Sequence, residues 1–232
     1  MNRGVESKGG AELKFRINKA HFPVTTLGYG RRLGLWVQGC AIRCRGCVSR
    51  DTWDAGGGWE VEPAEVVAWC DARRAQQIDG ITISGGEPFE QPRALAALLE
   101  ALNAWRRGLD RAFDILCYSG LPRRRIERRH PGILAMLDVL IPEPYVDGRI
   151  SGGRAPRSLW RGSDNQPLVP LTPLGRSRYD GGNNAAGAPR IQVSIDRGGA
   201  WFIGIPRPGD MDRLEEQARA RGVILEEVSW RA

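Results

Sequence analysis

Leu33-Gly34-Leu35-Trp36-Val37-Gln38-Gly39-Cys40-Ala41-Ile42-Arg43-Cys44-Arg45-Gly46-Cys47 decides how the rest of the chain is read. Leu33–Gln38 predicts a strand that runs straight into three thiols, spaced by three and then two residues. Thiolates are soft ligands that suit iron–sulfur clusters, zinc and copper. A spacing this short lets one loop wrap a cubane and ligate three of its four irons. A structural cluster or a zinc site would want a fourth cysteine or histidine. None is close in sequence, because Cys70 falls in a predicted helix and Cys117 in a predicted strand. Completion of a zinc site by Cys70, Cys117, His21 or His130 is the alternative reading of the same residues.

Outward from the cysteines, strand and helix signals alternate. The Gly56–Gly58 loop is followed by Glu62-Pro63, which opens a helix. Ile81–Ile83 is a β-branched strand ending in Ser84-Gly85-Gly86-Glu87-Pro88. Glycines there let a ligand approach the backbone, and the Glu87 carboxylate can engage an ammonium group. Pro92 opens a helix with Leu95, Leu98, Leu99 and Leu102 on one face. Phe113–Tyr118 is a strand closed by Ser119-Gly120, Arg123–Arg129 a solvated helix, and Val139–Ile141 a further strand. This order predicts an α/β fold with a parallel sheet, bent into an open partial barrel with its working loops at the carboxyl ends of the strands.

The flanks are less regular. Residues 1–10 read as a polar start and Leu13–Ile17 as a strand. Residues 147–189 are rich in Gly, Pro and Arg, with a loop at Gly181–Gly187. Ile191–Ile195 and Trp201–Ile205 predict a hairpin, Met211–Arg221 a helix, and Val223–Val228 a last strand. No linker divides the 232 residues, so the expectation is one domain over 1–232, with a core over about 33–170 and a C-terminal elaboration over about 171–232.

Composition bounds the class. Hydrophobic residues are 41% and charged residues 26%, as in ordinary globular chains, and no run approaches the ~18 apolar residues that span a bilayer. The net charge of +7 comes largely from Arg and reads as a basic, unspecialised surface rather than one for nucleic acid. Five cysteines, three within eight positions, predict metal or redox chemistry in a reducing compartment, hence the cytoplasm, and not a disulfide framework.

The three cysteines and the Gly-Gly-Glu-Pro strand end resemble the signature of the radical S-adenosylmethionine (SAM) superfamily. Within it, Arg45-Gly46-Cys47 followed by Asp51-Thr52-Trp53, Tyr118-Ser119-Gly120, and Trp160-Arg161-Gly162-Ser163-Asp164-Asn165-Gln166 are similar to the anaerobic ribonucleotide reductase activating proteins and other glycyl-radical activating enzymes. Glu87 stands where those activases often carry Asp. The resemblance implies a partial (β/α)6-type barrel and a [4Fe–4S] cluster on Cys40, Cys44 and Cys47. It implies SAM contacts from Gly85, Gly86 and Glu87, with Ser119 and Asn165 as further candidates. It also implies reductive cleavage of SAM to a 5′-deoxyadenosyl radical, hydrogen abstraction from a glycine of a partner enzyme, and a flavodoxin- or ferredoxin-like electron donor. Two other readings remain: a radical SAM enzyme acting on a peptide or small molecule, and a non-catalytic iron–sulfur or zinc module.

Overall fold

The computed structural model describes residues 13–149, 160–180, 191–196 and 199–231. Their strands and helices, in chain order, begin with β1 (Phe15–Val24), β2 (Arg32–Val37), β3 (Trp59–Val61) and α1 (Pro63–Asp71). Next come β4 (Gly80–Gly85), α2 (Pro92–Arg106), β5 (Asp114–Tyr118), α3 (Arg123–Arg129), α4 (Pro131–Leu134) and β6 (Val139–Ile141). The chain continues with β7 (Val169–Pro170), α5 (Pro173–Tyr179), β8 (Ile191–Asp196), β9 (Gly199–Gly204) and α6 (Asp210–Ala220).

Seven strands form one sheet in the order β3-β1-β2-β4-β5-β6-β7, while β8 and β9 form a separate antiparallel pair. The four central strands, β2, β4, β5 and β6, are mutually parallel; β1, β3 and β7 add antiparallel edges. All six residues of β2 are buried, as a strand in the middle of a covered parallel sheet must be. Pro92 occupies the first turn of α2, and Leu95, Leu98, Leu99 and Leu102 on its inner face are fully buried against the sheet. In α1, Pro63 fills the first turn and the Glu65 carboxylate accepts a 2.7 Å bond from the Glu62 N–H.

The amino ends of the central strands are closed by a buried ionic network. Asp114, at the start of β5, accepts bonds from Arg32 Nη1 at 2.8 Å and Arg178 Nη1 at 2.5 Å, and from the Tyr179 hydroxyl at 3.1 Å. Arg32 also donates to the Thr82 hydroxyl at 2.6 Å and the Ile81 carbonyl at 2.7 Å. Arg178 and Tyr179 come from α5, so this short helix ties the far edge of the sheet back to β2 and β5.

The predicted central elements are all present. Two expectations change. The N-terminal strand runs to Val24, beyond Ile17, because register shifts past Ile17 and His21 interrupt the alternation on which the sequence reading relied. The last strand expected at Val223–Val228 does not form: that segment is neither helix nor strand, and Val223 and Ile224 are exposed. The expected polar start at 1–10 and the loop Gly181–Gly187 lie outside the described residues.

Candidate functional site

A cleft of about 1010 Å³ opens at the carboxyl ends of β2, β4 and β5, and Cys40, Cys44 and Cys47 all line it. The loop that carries them is positioned at both ends by backbone bonds. Gly39 N–H donates to the Thr52 carbonyl at 2.8 Å, and Cys40 N–H to the Trp53 carbonyl at 3.1 Å. Gly46, at φ +77°, sits in the left-handed region where a side chain would be strained, so glycine permits the turn into Cys47.

Burial raises the thiol pKa of each of the three cysteines, and N–H donors pull in the opposite direction. Cys40 Sγ is approached by the backbone N–H groups of Arg43 and Ile42, and Cys44 Sγ by that of Tyr145. Cys47 Sγ accepts from the Ser49 N–H at 3.4 Å, and the nearby Trp53 indole also pulls its pKa down. Donors aimed at sulfur suit thiolates that carry a cluster, whose charge such bonds offset. The donor set therefore fits an iron–sulfur group. Among the described residues, no three His, Cys, Asp or Glu side chains converge as ligands of a single ion would. Thiolates that bond separate irons do not need to converge in that way.

The strand end Ser84–Glu87 reaches the same cleft, and its glycines are required by the backbone. A Cβ on Gly86 would stand 2.3 Å from the Gly39 carbonyl oxygen, and one on Gly85, at φ +95°, 2.7 Å from Val37 N. The close approach is sealed by bonds of 2.8 Å from Gly86 N–H to the Val37 carbonyl and from Glu87 N–H to the Gly39 carbonyl. These glycines thus let the end of β4 mate with the first residue of the cysteine loop.

Glu87 is 1% exposed. Its carboxylate accepts from the Phe89 N–H at 3.0 Å, the Ser119 hydroxyl at 2.8 Å and the Gly120 N–H at 2.7 Å. Burial pushes its pKa up to about 7, against the pull of those three donors. Ser119 in turn accepts from the Leu121 N–H at 3.0 Å, so its hydroxyl is engaged on both sides. Glu87 and Ser119 together staple the ends of β4 and β5 at the cleft wall.

Asn165 donates to the Pro144 carbonyl at 2.8 Å, while its Oδ1 is buried with no partner among the described residues. Asn165 is not among the residues that line the cleft, whereas its neighbour Gln166 is. Neighbouring Gln166 pins its own loop: Oε1 accepts from Gly162 and Ser163 N–H, and Nε2 donates to the Glu143 carbonyl at 2.9 Å. Of the alternative zinc ligands, Cys70 and Cys117 are buried in α1 and β5 within the main core cluster, and neither they nor His21 and His130 line the cleft. Sequence reasoning missed two contributors. The Trp53 indole lines the cleft beside Cys47 and works against the rise that burial imposes on its thiol pKa. The C-terminal elaboration supplies a whole wall of the cleft, including Trp201, Phe202 and Trp230.

A family model described as "4Fe-4S single cluster domain" matches residues 26–169. The chain is similar to the anaerobic ribonucleoside-triphosphate reductase-activating protein of Enterobacteria phage T4, 32% identical over 61% of this chain and 85% of that protein. It is similar to the protein of the same name from Vibrio cholerae, 30% identical over 66% of this chain and 96% of that protein. A shorter match, 34% identical over 39% of each chain, is to the pyruvate formate-lyase-activating enzyme of Clostridium pasteurianum. The chain belongs to the 4Fe–4S single cluster domain family, among proteins of the radical SAM activating-enzyme type. No described helix is long and apolar enough to cross a membrane.

Proposed function

We propose that the protein is a radical SAM activase, with Cys40, Cys44 and Cys47 holding a [4Fe–4S] cluster whose fourth iron receives SAM. The reading includes one domain over 1–232, the central sheet and its helices serving as a partial (β/α)6-type barrel, in a reducing compartment such as the cytoplasm. The observation that carries it is the sharing of one cleft by the three thiols and the strand ends Ser84–Glu87 and Ser119–Gly120. When bound, the cluster supplies the single electron that splits the sulfonium of SAM into methionine and a 5′-deoxyadenosyl radical.

The chain's own residues bind, orient and exclude. The N–H donors on the three sulfurs offset the negative charge of the ligands. Gly85, Gly86 and Glu87 form the wall nearest the cysteine loop and are the candidates for the amino group of SAM, Glu87 through the lone pairs its three donors leave free. Ser119, by holding Glu87, acts on SAM indirectly, and Asn165, which does not line the cleft, acts indirectly too. The substrate is a glycine of a partner glycyl-radical enzyme, in line with the names of the relatives, and a flavodoxin- or ferredoxin-like protein delivers the electron.

The test is anaerobic reconstitution with iron and sulfide, followed by dithionite and SAM. Release of 5′-deoxyadenosine and methionine is expected, and a glycyl radical by electron paramagnetic resonance once a candidate partner is added. A protein that loads its cluster yet leaves SAM intact is a module, not an enzyme.

A further inference from the structure

Basic charge is concentrated on one short helix that the cleft does not use. α3 packs five arginines and one glutamate into seven residues, Arg-Arg-Arg-Ile-Glu-Arg-Arg. Ile126 is fully buried and pins the helix to the main core, which leaves the charged side chains exposed. Glu127 pairs with Arg123 at 2.7 Å, whereas Arg124, Arg125, Arg128 and Arg129 meet no carboxylate among the described residues. Arg124 with Arg128, and Arg125 with Arg129, are like charges one turn apart, an arrangement that weakens a helix until an anion is brought to it. None of the seven residues lines the cleft.

The helix is nevertheless anchored beside the cysteine loop at both ends. Before its start, Gly120 lies so close to Ile42 that a Cβ there would come within 2.6 Å of Ile42 Cδ1. Ile42 stands between Cys40 and Cys44 in the loop. Beyond its end, the His130 ring meets Phe89 at 5.3 Å, and Glu90 in the same turn accepts from the Ala41 N–H at 2.8 Å. Burial, and then the charges of Arg129 and Arg125, lower the His130 pKa, so both arginines stand near that contact. On the loop itself Arg43, whose N–H approaches Cys40 Sγ, is exposed.

A hydrogen atom passes only between groups in contact, so a substrate glycine has to enter the cleft. An electron crosses packed protein, so its donor needs a rigid face close to the ligands but no opening. We propose that α3, with Arg43, is the docking face for an acidic one-electron carrier protein, and that the carrier and the glycyl substrate protein are bound at the same time on different faces. The carrier gives up one electron, which reduces the cluster by one; no bond forms or breaks and no proton moves at this step. Opposite charge steers the encounter and relieves the repulsion within α3. The inference rests on the activase reading for the destination of the electron, and adds where its donor sits and why the substrate does not displace it.

The probe is an acidic flavodoxin reduced to its hydroquinone, mixed anaerobically with the reconstituted full-length protein without SAM. Flavin oxidation is followed by stopped flow, and binding of the oxidised flavodoxin by calorimetry. Arg125→Glu/Arg129→Glu is expected to slow reduction and weaken binding about tenfold or more at low salt, a difference that shrinks as salt screens it. Arg125→Gln/Arg129→Gln, expected to show a smaller loss of the same kind, covers the case in which charge reversal unfolds α3. Arg107→Glu/Arg219→Glu changes the net charge equally at the end of α2 and on α6, where both arginines are exposed, and should alter either readout by less than about twofold. Dithionite-driven release of 5′-deoxyadenosine should be unchanged in all three, which reports folding and cluster loading without the carrier. Equal losses in the two Glu variants, a salt-independent loss, an unchanged rate, displacement of the flavodoxin by a candidate glycyl-radical enzyme, or tighter binding of duplex DNA than of flavodoxin at physiological salt would overturn the proposal. A protein that takes the electron of the flavodoxin yet leaves SAM intact defeats the activase reading alone, so the two fail separately.

Discussion

The two ends of the same parallel strands are built to opposite rules. At their amino ends, Arg32, Thr82 and Asp114 are 0% exposed, and Asp114 is met by two guanidinium groups and a phenol. At their carboxyl ends the thiols of Cys40, Cys44 and Cys47 are only half-buried and line the open cleft. The parallel registers of β2 with β4 and of β4 with β5 run without a shift, so the contrast lies in the side chains. A closed polar network makes one end a fastening, and open polar groups make the other a site. Stability and chemistry are thereby carried by different residues of the same strands.

That separation can be broken most sharply at Cys44. Cys44→Ala is expected to abolish the broad visible absorbance of the reconstituted cluster and all release of 5′-deoxyadenosine. The unfolding free energy of the cluster-free protein in urea should stay within about 0.5 kcal/mol of wild type, because a half-buried thiol at the cleft adds little to the core. A large loss of apo stability would show that the open end also fastens the fold.

The converse substitution is Asp114→Ala. It leaves Arg32 buried without its carboxylate, and a cost of about 3–5 kcal/mol in urea unfolding is expected. A cost below about 1 kcal/mol would remove the amino-end network from the fastenings of the fold.

Glu87 sharpens the comparison because it is a closed network placed at the open end. Its carboxyl in the native protein holds a proton up to about pH 7, whereas in the unfolded chain it loses it near the ordinary value of 4.5. Between these values the native state binds more protons, so stability must fall as pH rises, and the contribution is complete below 4.5 and gone above about 7. The size is on the order of 3 kcal/mol. Glu87→Gln should flatten the slope of cluster-free stability across that window by this amount, measured as the difference in urea unfolding between the two proteins. Identical slopes would mean that the three donors, rather than burial, set the charge of Glu87.

Much of this was legible in the sequence, for identifiable reasons. The central strands are short apolar runs, and α2 shows Leu95, Leu98, Leu99 and Leu102 at helical spacing, so burial alone marks them. The cysteine loop is legible because its three thiols are close in sequence and the fold keeps them on one cleft. What was not legible depends on distant partners. Arg32 and Arg178 lie far apart in sequence and meet only through Asp114, and an arginine by itself reads as surface. Val223–Val228 has the apolar content of a strand but finds no sheet edge to pair with. Gly85 and Gly86 were read as room for a ligand; that they also make room for the backbone of Val37 and Gly39 is a contact between distant segments that no local pattern shows.

Trp53 shows the same limit at the scale of one atom, and it gives the smallest expected effect. Nothing in its place six residues after Cys47 announces an electrostatic role, and only the folded loop brings the indole beside Cys47 at the cleft, where it can donate to a thiolate. Trp53→Phe keeps the ring and removes the donor. Cluster loading should persist. The reduction potential should fall, because a hydrogen bond to a ligand sulfur favours the reduced, more electron-rich cluster. A bond worth about 1 kcal/mol corresponds to about 40 mV for one electron, which a potentiometric titration followed by electron paramagnetic resonance resolves. An unchanged potential with intact loading would make Trp53 a packing residue after all, and the open end of the strands would then owe its electrostatics to backbone N–H groups alone.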